Sequence, residues 1–121
     1  MLTGGWLRMG EKKSDQQIRR APPPGPVCAV VRVETRAGSG HEFISIVSDL
    51  AHKVRNEEDG CTSYVVTRAM GSPDHFAVHA RFEDWAAFKD HAETAHLKRA
   101  MPRINALLVS PLALEIYLEV V

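Results

Sequence analysis

CTSYVVTRAMGSPDHFAVHARF, residues 61–82, decides the fold. Its second half alternates Phe76, Val78, Ala80 and Phe82 against His75, Ala77, His79 and Arg81, the two-residue period of a strand with one buried face. Its first half, Cys61 to Arg68, carries Tyr64, Val65, Val66 and Thr67, the β-branched and aromatic residues that suit a pleated surface. Between them Met70-Gly71-Ser72-Pro73-Asp74 supplies turn chemistry, so the two runs are predicted to pair as an antiparallel hairpin.

Working outward, the acidic run Glu57-Glu58-Asp59 and Gly60 stop a preceding helix of about 41–56. Its predicted apolar stripe is Phe43, Ile44, Val47, Leu50, Ala51 and Val54, and Ser39 with Glu42 spells a capping box at its start. Before it, Val27 to Thr35 alternates as a strand, with Val27, Ala29, Val31 and Val33 on one side. On the far side of the hairpin Asp84 is a predicted N-cap for a helix with Trp85, Phe88 and Ala92. A further helical piece carries Leu97, Met101, Ile104 and Leu108, with a break expected near Thr94 and a kink or division at Pro102. Leu112, Leu114, Ile116, Leu118 and Val120 then alternate as a last strand.

The order β-α-β-β-α-β predicts an α+β, ferredoxin-like antiparallel sheet with the helices on one face. The other face combines apolar and polar residues, expected to be Cys28 and Val30, Tyr64 and Val66, and Ala113 and Tyr117. A second copy of the chain, sheet against sheet, is the expected cover, giving a homodimer in which His75, His79 and Arg81 meet the partner.

The chain has 121 residues with 15 basic and 15 acidic side chains, 45% hydrophobic and 25% charged, a composition that leaves room for one domain. Residues 1–26, with Pro22-Pro23-Pro24, are read as a disordered or extended tail, and residues 27–121 as the folded unit. The tail holds five basic and two acidic side chains, so the folded unit holds 10 basic and 13 acidic ones. This mildly acidic domain is unsuited to nucleic acid or an anionic membrane surface. No apolar run approaches the about 20 residues of a membrane span, and no signal-peptide h-region opens the chain, so a cytoplasmic protein is expected. Two cysteines, Cys28 and Cys61, are expected to be reduced thiols. Six histidines invite a test for metal, but His91 and His96 are five apart, and His75 and His79 lack a partner pair of ligands, so no metal is expected. Nucleotide-binding, acyl-transfer and dithiol motifs are absent.

Four segments taken in order, Glu58-Asp59-Gly60-Cys61-Thr62-Ser63-Tyr64, Asp74-His75-Phe76, Phe82-Glu83-Asp84-Trp85-Ala86-Ala87-Phe88-Lys89-Asp90-His91 and Ala95-His96-Leu97, resemble the antibiotic biosynthesis monooxygenase family. The likeness spans about 27–120. It implies a dimeric α+β barrel and, from several members, oxidation of a small phenolic, quinol or anthrone-like compound by molecular oxygen without metal, flavin or other cofactor. Two departures matter. The family commonly has a glutamate where this chain has Ala80, and haem-degrading relatives have a histidine where this chain reads Arg99-Ala100-Met101-Pro102. Haem is therefore not expected, and a non-catalytic small-molecule-binding or stress-associated barrel, or an isomerase or lyase, stands as the alternative.

Such an oxygenation needs an apolar pocket, a base for the phenol proton and exclusion of water. His91 is the expected base, since it lies three residues after Phe88 on the sheet-facing side of its helix and matches the family's histidine. The alternative for His91 is a structural hydrogen bond to a neighbouring strand. Phe43, Tyr64, Trp85, Phe88, His96 and Met101 are the expected substrate-binding residues, with core packing or, for Tyr64, the dimer seam as the competing role.

Overall fold

The computed structural model describes residues 24–121. The expected tail lies, for residues 1–23, outside the described residues. The elements are β1 (Val27–Glu34), α1 (Gly40–Glu57), β2 (Cys61–Arg68), β3 (His75–Phe82), α2 (Trp85–Ala92), α3 (Ala95–Asn105) and β4 (Ala113–Leu118). Every strand pair is antiparallel, and the order across the sheet is β2-β3-β1-β4, the ferredoxin-like arrangement the sequence predicts.

Register determines which side chains meet the helices. Val27, Ala29, Val31 and Val33 of β1 sit opposite Phe82, Ala80, Val78 and Phe76 of β3, so the two alternating rows coincide on the helix-covered face. β2 corrects the expectation for the open face. Tyr64 pairs with Ala80 and Val66 with Val78, which puts both under the helices, while Ser63, Val65 and Thr67 face outward. The phase of β2 was hidden because Val65 adds an apolar residue to the outer row and a bulge between Cys61 and Ser63 interrupts the alternation. Tyr64 is only 6% exposed as a result.

α1 lays Phe43, Ile46, Val47, Leu50, Ala51 and Val54 on the sheet. Ile46 replaces the expected Ile44, which is exposed at the margin of the stripe. Phe43 packs on Phe76 with ring centroids 4.6 Å apart, and burying a side chain of this size contributes roughly 1.5–3 kcal/mol. The capping box does not form. Ser39 occupies the N-cap with ψ near 0° and makes no side-chain cap bond, a backbone geometry away from the extended one that aims the hydroxyl at the first turn.

Asp84 does cap α2, accepting from the Ala87 amide at 2.9 Å. Thr94 joins the two short helices: its hydroxyl donates to the His91 carbonyl at 2.9 Å and accepts from the Leu97 amide at 3.4 Å. The expected break near Thr94 is therefore real, whereas Pro102 neither ends nor divides α3, which continues to Asn105. The close backbone neighbours of α3 are α1 and α2 rather than the strands, so it stands away from the sheet. Among the described residues no helix is long and apolar enough to cross a membrane.

Candidate functional site

Beneath α3 the helix layer and the sheet enclose a cavity of about 110 Å³. Its wall includes Val31 and Val33 from β1, Phe43 and Leu50 from α1, Leu97 and Met101 from α3, and Leu114 from β4. Two lining side chains have polar atoms, Tyr64 and His91.

His91 is 9% exposed and packs its ring on Phe82 at 5.1 Å and Tyr64 at 5.9 Å. One edge of the imidazole is held. Nδ1 lies 2.9 and 3.1 Å from the two carboxylate oxygens of Glu58, the residue at the C-terminal cap of α1. Glu58 also meets Nε2 of His96, at 2.5 Å, and its side chain is only 10% exposed. Burial alone would raise the Glu58 pKa, but the hydrogen bonds from His91 and His96 outweigh it and hold the carboxyl below its ordinary value. An ionised carboxylate only accepts, so both histidines donate to it. Nδ1 of His91 therefore carries a proton, and Nε2 points away from Glu58 with no hydrogen-bond partner among the described residues.

Local sequence explains how Glu58 reaches this position. A Cβ on Gly60 would lie 2.6 Å from the Ala87 Cβ, so only glycine lets the start of β2 approach α2 this closely. That approach places the end of α1 beside His91. The Glu83 amide donates to the Gly60 carbonyl at 2.8 Å and fixes the same corner. Thr94 sets the turn that brings His96 to the other side of the carboxylate.

The cavity collects His91, Phe43, Tyr64, Phe88 and Met101 from the expected site residues and leaves out two. Trp85 is half-buried and stacks on Phe88 with centroids 5.3 Å apart; its Nε1 is buried without a partner among the described residues, but it does not line the cavity. His96 is 8% exposed and turned toward Glu58, so it supports the site from outside the cavity. Tyr64 is a cavity residue on the helix face, which removes it from the open sheet face and from a seam there. Its backbone carbonyl accepts from Arg55 Nε at 3.1 Å and Nη2 at 2.5 Å. Burial, with a further push from the Glu58 charge, raises the Tyr64 phenol above its ordinary pKa, so it stays a neutral donor.

Glu58 is the residue of this candidate site that the sequence reading did not single out. It lies 33 residues from His91 and 38 from His96, and the sequence shows it as part of a helix-stopping acidic run and at the head of the first family-like segment, with no role assigned. Ala80 is 7% exposed and packed in the core, and the carboxylate that touches His91 comes from Glu58. Among the described residues no group of three His, Cys, Asp or Glu side chains is arranged to hold a metal ion.

A four-stranded antiparallel sheet with one helix-covered face, and an apolar cavity between the layers with a carboxylate-held histidine in its wall, defines a small two-layer α+β domain. The sequence model for antibiotic biosynthesis monooxygenases matches residues 26–103, and the chain belongs to that family. No curated protein sequence matches it. Solved structures share the fold. A protein from Caulobacter crescentus CB15 assigned to the antibiotic biosynthesis monooxygenases is 23% identical over 86% of this chain and 98% of its own, with a TM-score of 0.79. A Bacteroides thetaiotaomicron VPI-5482 protein of unknown function is 18% identical over 80% of this chain and 100% of its own, with a TM-score of 0.74. SnoaB of Streptomyces nogalater, a cofactor-independent oxygenase seen in a mutant form, is 17% identical over 78% of this chain and 93% of its own, with a TM-score of 0.70.

Proposed function

We propose that this chain is a cofactor-independent monooxygenase that oxidises a small phenol or quinol with molecular oxygen, using His91 as its base. Family membership supports a monooxygenase-type function in general. The observation that carries the finer reading is an imidazole with Nδ1 fixed on Glu58 in the wall of an otherwise apolar cavity. The cavity of about 110 Å³ is of the same order as the roughly 150 Å³ that holds benzene, the scale of a single aromatic ring.

In this reading His91 Nε2 removes the phenolic proton, and Glu58 stabilises the resulting imidazolium. The phenolate passes one electron to O2, and the radical pair joins at a ring carbon to form a C–O bond. The imidazolium returns its proton to the peroxide. Loss of the ring C–H proton to His91, with departure of hydroxide, breaks the O–O bond and leaves a carbonyl; proton and hydroxide combine as water. A hydroquinone thus becomes a hydroxyquinone, giving up four electrons while O2 accepts four. The apolar wall keeps bulk water from the radical pair.

The same proposal takes the protein as a cytoplasmic homodimer. Cys28 and Cys61 are unpaired thiols, in keeping with a reducing compartment. The helix-free sheet face exposes Val65 on β2 and Tyr117 on β4 together with the Arg32–Glu115 and Arg81–Glu119 ion pairs, a mixed surface suited to a second copy. The test is oxygen uptake with a panel of hydroquinones and anthrones by wild type and His91→Ala. Uptake on single-ring quinols that falls at least about a hundredfold in the variant is expected for a lost base. No uptake by wild type contradicts the reading, and ligand binding without turnover would favour a binding protein.

A further inference from the structure

The end of α1, the turn into β2 and one face of α2 border a second space, a groove of about 400 Å³ that shares His91 with the cavity wall. The shared His91 is 9% exposed and has no partner at Nε2 among the described residues. Ala86 and Ala87 line the groove, and so do four exposed carboxylates, Glu57, Asp59, Glu83 and Asp90. Two further carboxylates in the wall are engaged: Glu58 accepts from His91 and His96, and Asp84 accepts from the Ala87 amide. Of the exposed four, Glu57 lies 3.8 Å from the His96 ring, and among the described residues none is within ion-pair distance of a Lys or Arg. Like charges gathered without a cation repel one another, and a basic segment seated among them removes that repulsion.

The chain itself carries such a segment. Residues 1–26 hold Arg8, Lys12, Lys13, Arg19 and Arg20 against Glu11 and Asp15, a net charge of +3, while residues 27–121 hold 10 basic and 13 acidic side chains, a net charge of −3. The segment enters the fold beside the groove. Val27, the first residue of β1, pairs with Phe82, and Phe82 pairs with Cys61, so two strand spacings of about 4.8 Å set Val27 about 10 Å from the start of β2. Glu83 follows Phe82 directly and Asp59 lies two residues before Cys61, so the acidic wall stands at the same end of the sheet. There the Glu119 amide donates to the Pro26 carbonyl at 3.0 Å. The stretch from Arg20 to Val27 can extend about 23 Å, more than twice the distance to be crossed, and Lys12 and Lys13 have a longer reach still.

We propose that the basic N-terminal segment, Arg8 to Arg20, docks in this acidic groove of its own chain. Charge, reach and point of entry together select the occupant. On the helix-free sheet face Arg32 and Arg81 already neutralise Glu115 and Glu119, so that face attracts the segment less. The docked segment lies against the wall that the groove shares with the cavity, and its position governs how freely solutes reach His91 from that side. Attraction of this kind between exposed charges is screened by salt, so docking is strongest at low ionic strength. The proposal makes no use of the monooxygenase reading, and either can fail alone.

The experiment treats the full chain with a carbodiimide, which joins a lysine amine to a carboxylate in contact with it, and locates the links by mass spectrometry. Lys12 and Lys13 are expected to link to Glu57, Asp59, Glu83 or Asp90 at about 50 mM salt, and at least about tenfold less at about 1 M, where the Debye length is only about 3 Å. An equal mixture of isotope-labelled and unlabelled protein identifies whose segment is bound: links confined to one isotopic form are expected, and mixed links would assign the groove to a second copy's segment and overturn the proposal. A second measurement needs no chemistry. In a chain with Arg8→Gln, Lys12→Gln, Lys13→Gln, Arg19→Gln and Arg20→Gln, the amide resonances of Ala86 and Ala87 should shift relative to wild type, while those of Val30 and Ala77 on the opposite sheet face should not. No links, links spread equally over distant carboxylates such as Asp49 and Glu115, links indifferent to salt, or unmoved Ala86 and Ala87 resonances would each refute the docking.

Discussion

Glu58→Gln tests how much the buried carboxylate contributes while keeping its shape. The carboxylate accepts from His91 Nδ1 at 2.9 Å and from His96 Nε2 at 2.5 Å. Glutamine replaces one carboxylate oxygen by an NH2, so one of the acceptor positions, Oε1 at 2.9 Å from His91 or Oε2 at 2.5 Å from His96 and 3.1 Å from His91, becomes a donor. If its NH2 faces His91, the imidazole proton must move to Nε2 and the base loses its lone pair. If its NH2 faces His96, His91 keeps its tautomer but loses the negative charge behind its imidazolium. Two unit charges about 4 Å apart interact by about 4 kcal/mol at an effective dielectric constant of about 20. Screening at a site that is 10% exposed lowers this, and we take about 2–3 kcal/mol, a 30- to 150-fold fall in rate. One charge-assisted hydrogen bond is also lost, with about 1.5–3 kcal/mol of stability. Initial rates of oxygen uptake on hydroquinone give the first number and urea unfolding gives the second. Ring-nitrogen NMR then shows which tautomer His91 adopts. A variant within about threefold of wild type in rate, with an unchanged unfolding midpoint, would falsify the role given to Glu58.

Three further outcomes follow from the same geometry. Gly60→Ala should cost about 1–3 kcal/mol in urea unfolding, because the new Cβ sits 2.6 Å from Ala87; adding Ala87→Gly should recover part of it, whereas purely additive losses would show that the close approach is not the cause. Leu97→Phe adds volume at the wall of a cavity of about 110 Å³, so phenol binding should weaken at least about tenfold while the melting temperature stays within about 4 °C of wild type. Acid sensitivity carries a definite sign. The folded Glu58 pKa lies below its ordinary 4.5, so its contribution to stability is fully present above about pH 4.5 and is lost as pH falls through the folded value. Unfolding midpoints measured from pH 7 to pH 3 should decline more steeply over the acid end in wild type than in Glu58→Gln.

The strands and helices were legible because their periods are long and regular: Phe76 to Phe82 and Val27 to Val33 carry their burial in plain alternation. The face of β2 was not. Val65 interrupts the contrast between rows, and the bulge near Ser63 is a property of pairing rather than of local sequence. Ile44 and Ile46 differ in position along the helix, not in chemistry, so tertiary contact chose between them. A kink or division is expected at Pro102, and α3 runs through it undivided to Asn105, with the Ala106 amide donating to the Pro102 carbonyl at 3.1 Å.

For the site, His91, Phe43, Phe88 and Met101 could be placed by helical spacing, whereas Tyr64 and the Glu58 contacts could not. They depend on three chain segments converging at Gly60, Thr94 and the end of α1, and no spacing rule joins residues so far apart in sequence. The same run of acidic residues that reads as a helix stop contributes the carboxylate that sets the histidine tautomer. The exclusion of His96 from the cavity has the same origin, because its ring is drawn to Glu58 at 2.5 Å.

The central claim is that His91 drives oxygenation of a single ring in this cavity. Incubation of chelator-treated protein with hydroquinone under labelled oxygen, followed by mass spectrometry of the product, addresses it directly. One labelled oxygen atom in a hydroxyquinone, formed at a rate that drops at least about a hundredfold in His91→Ala, is the predicted result. Unlabelled product, or an equal rate from the variant, would contradict it.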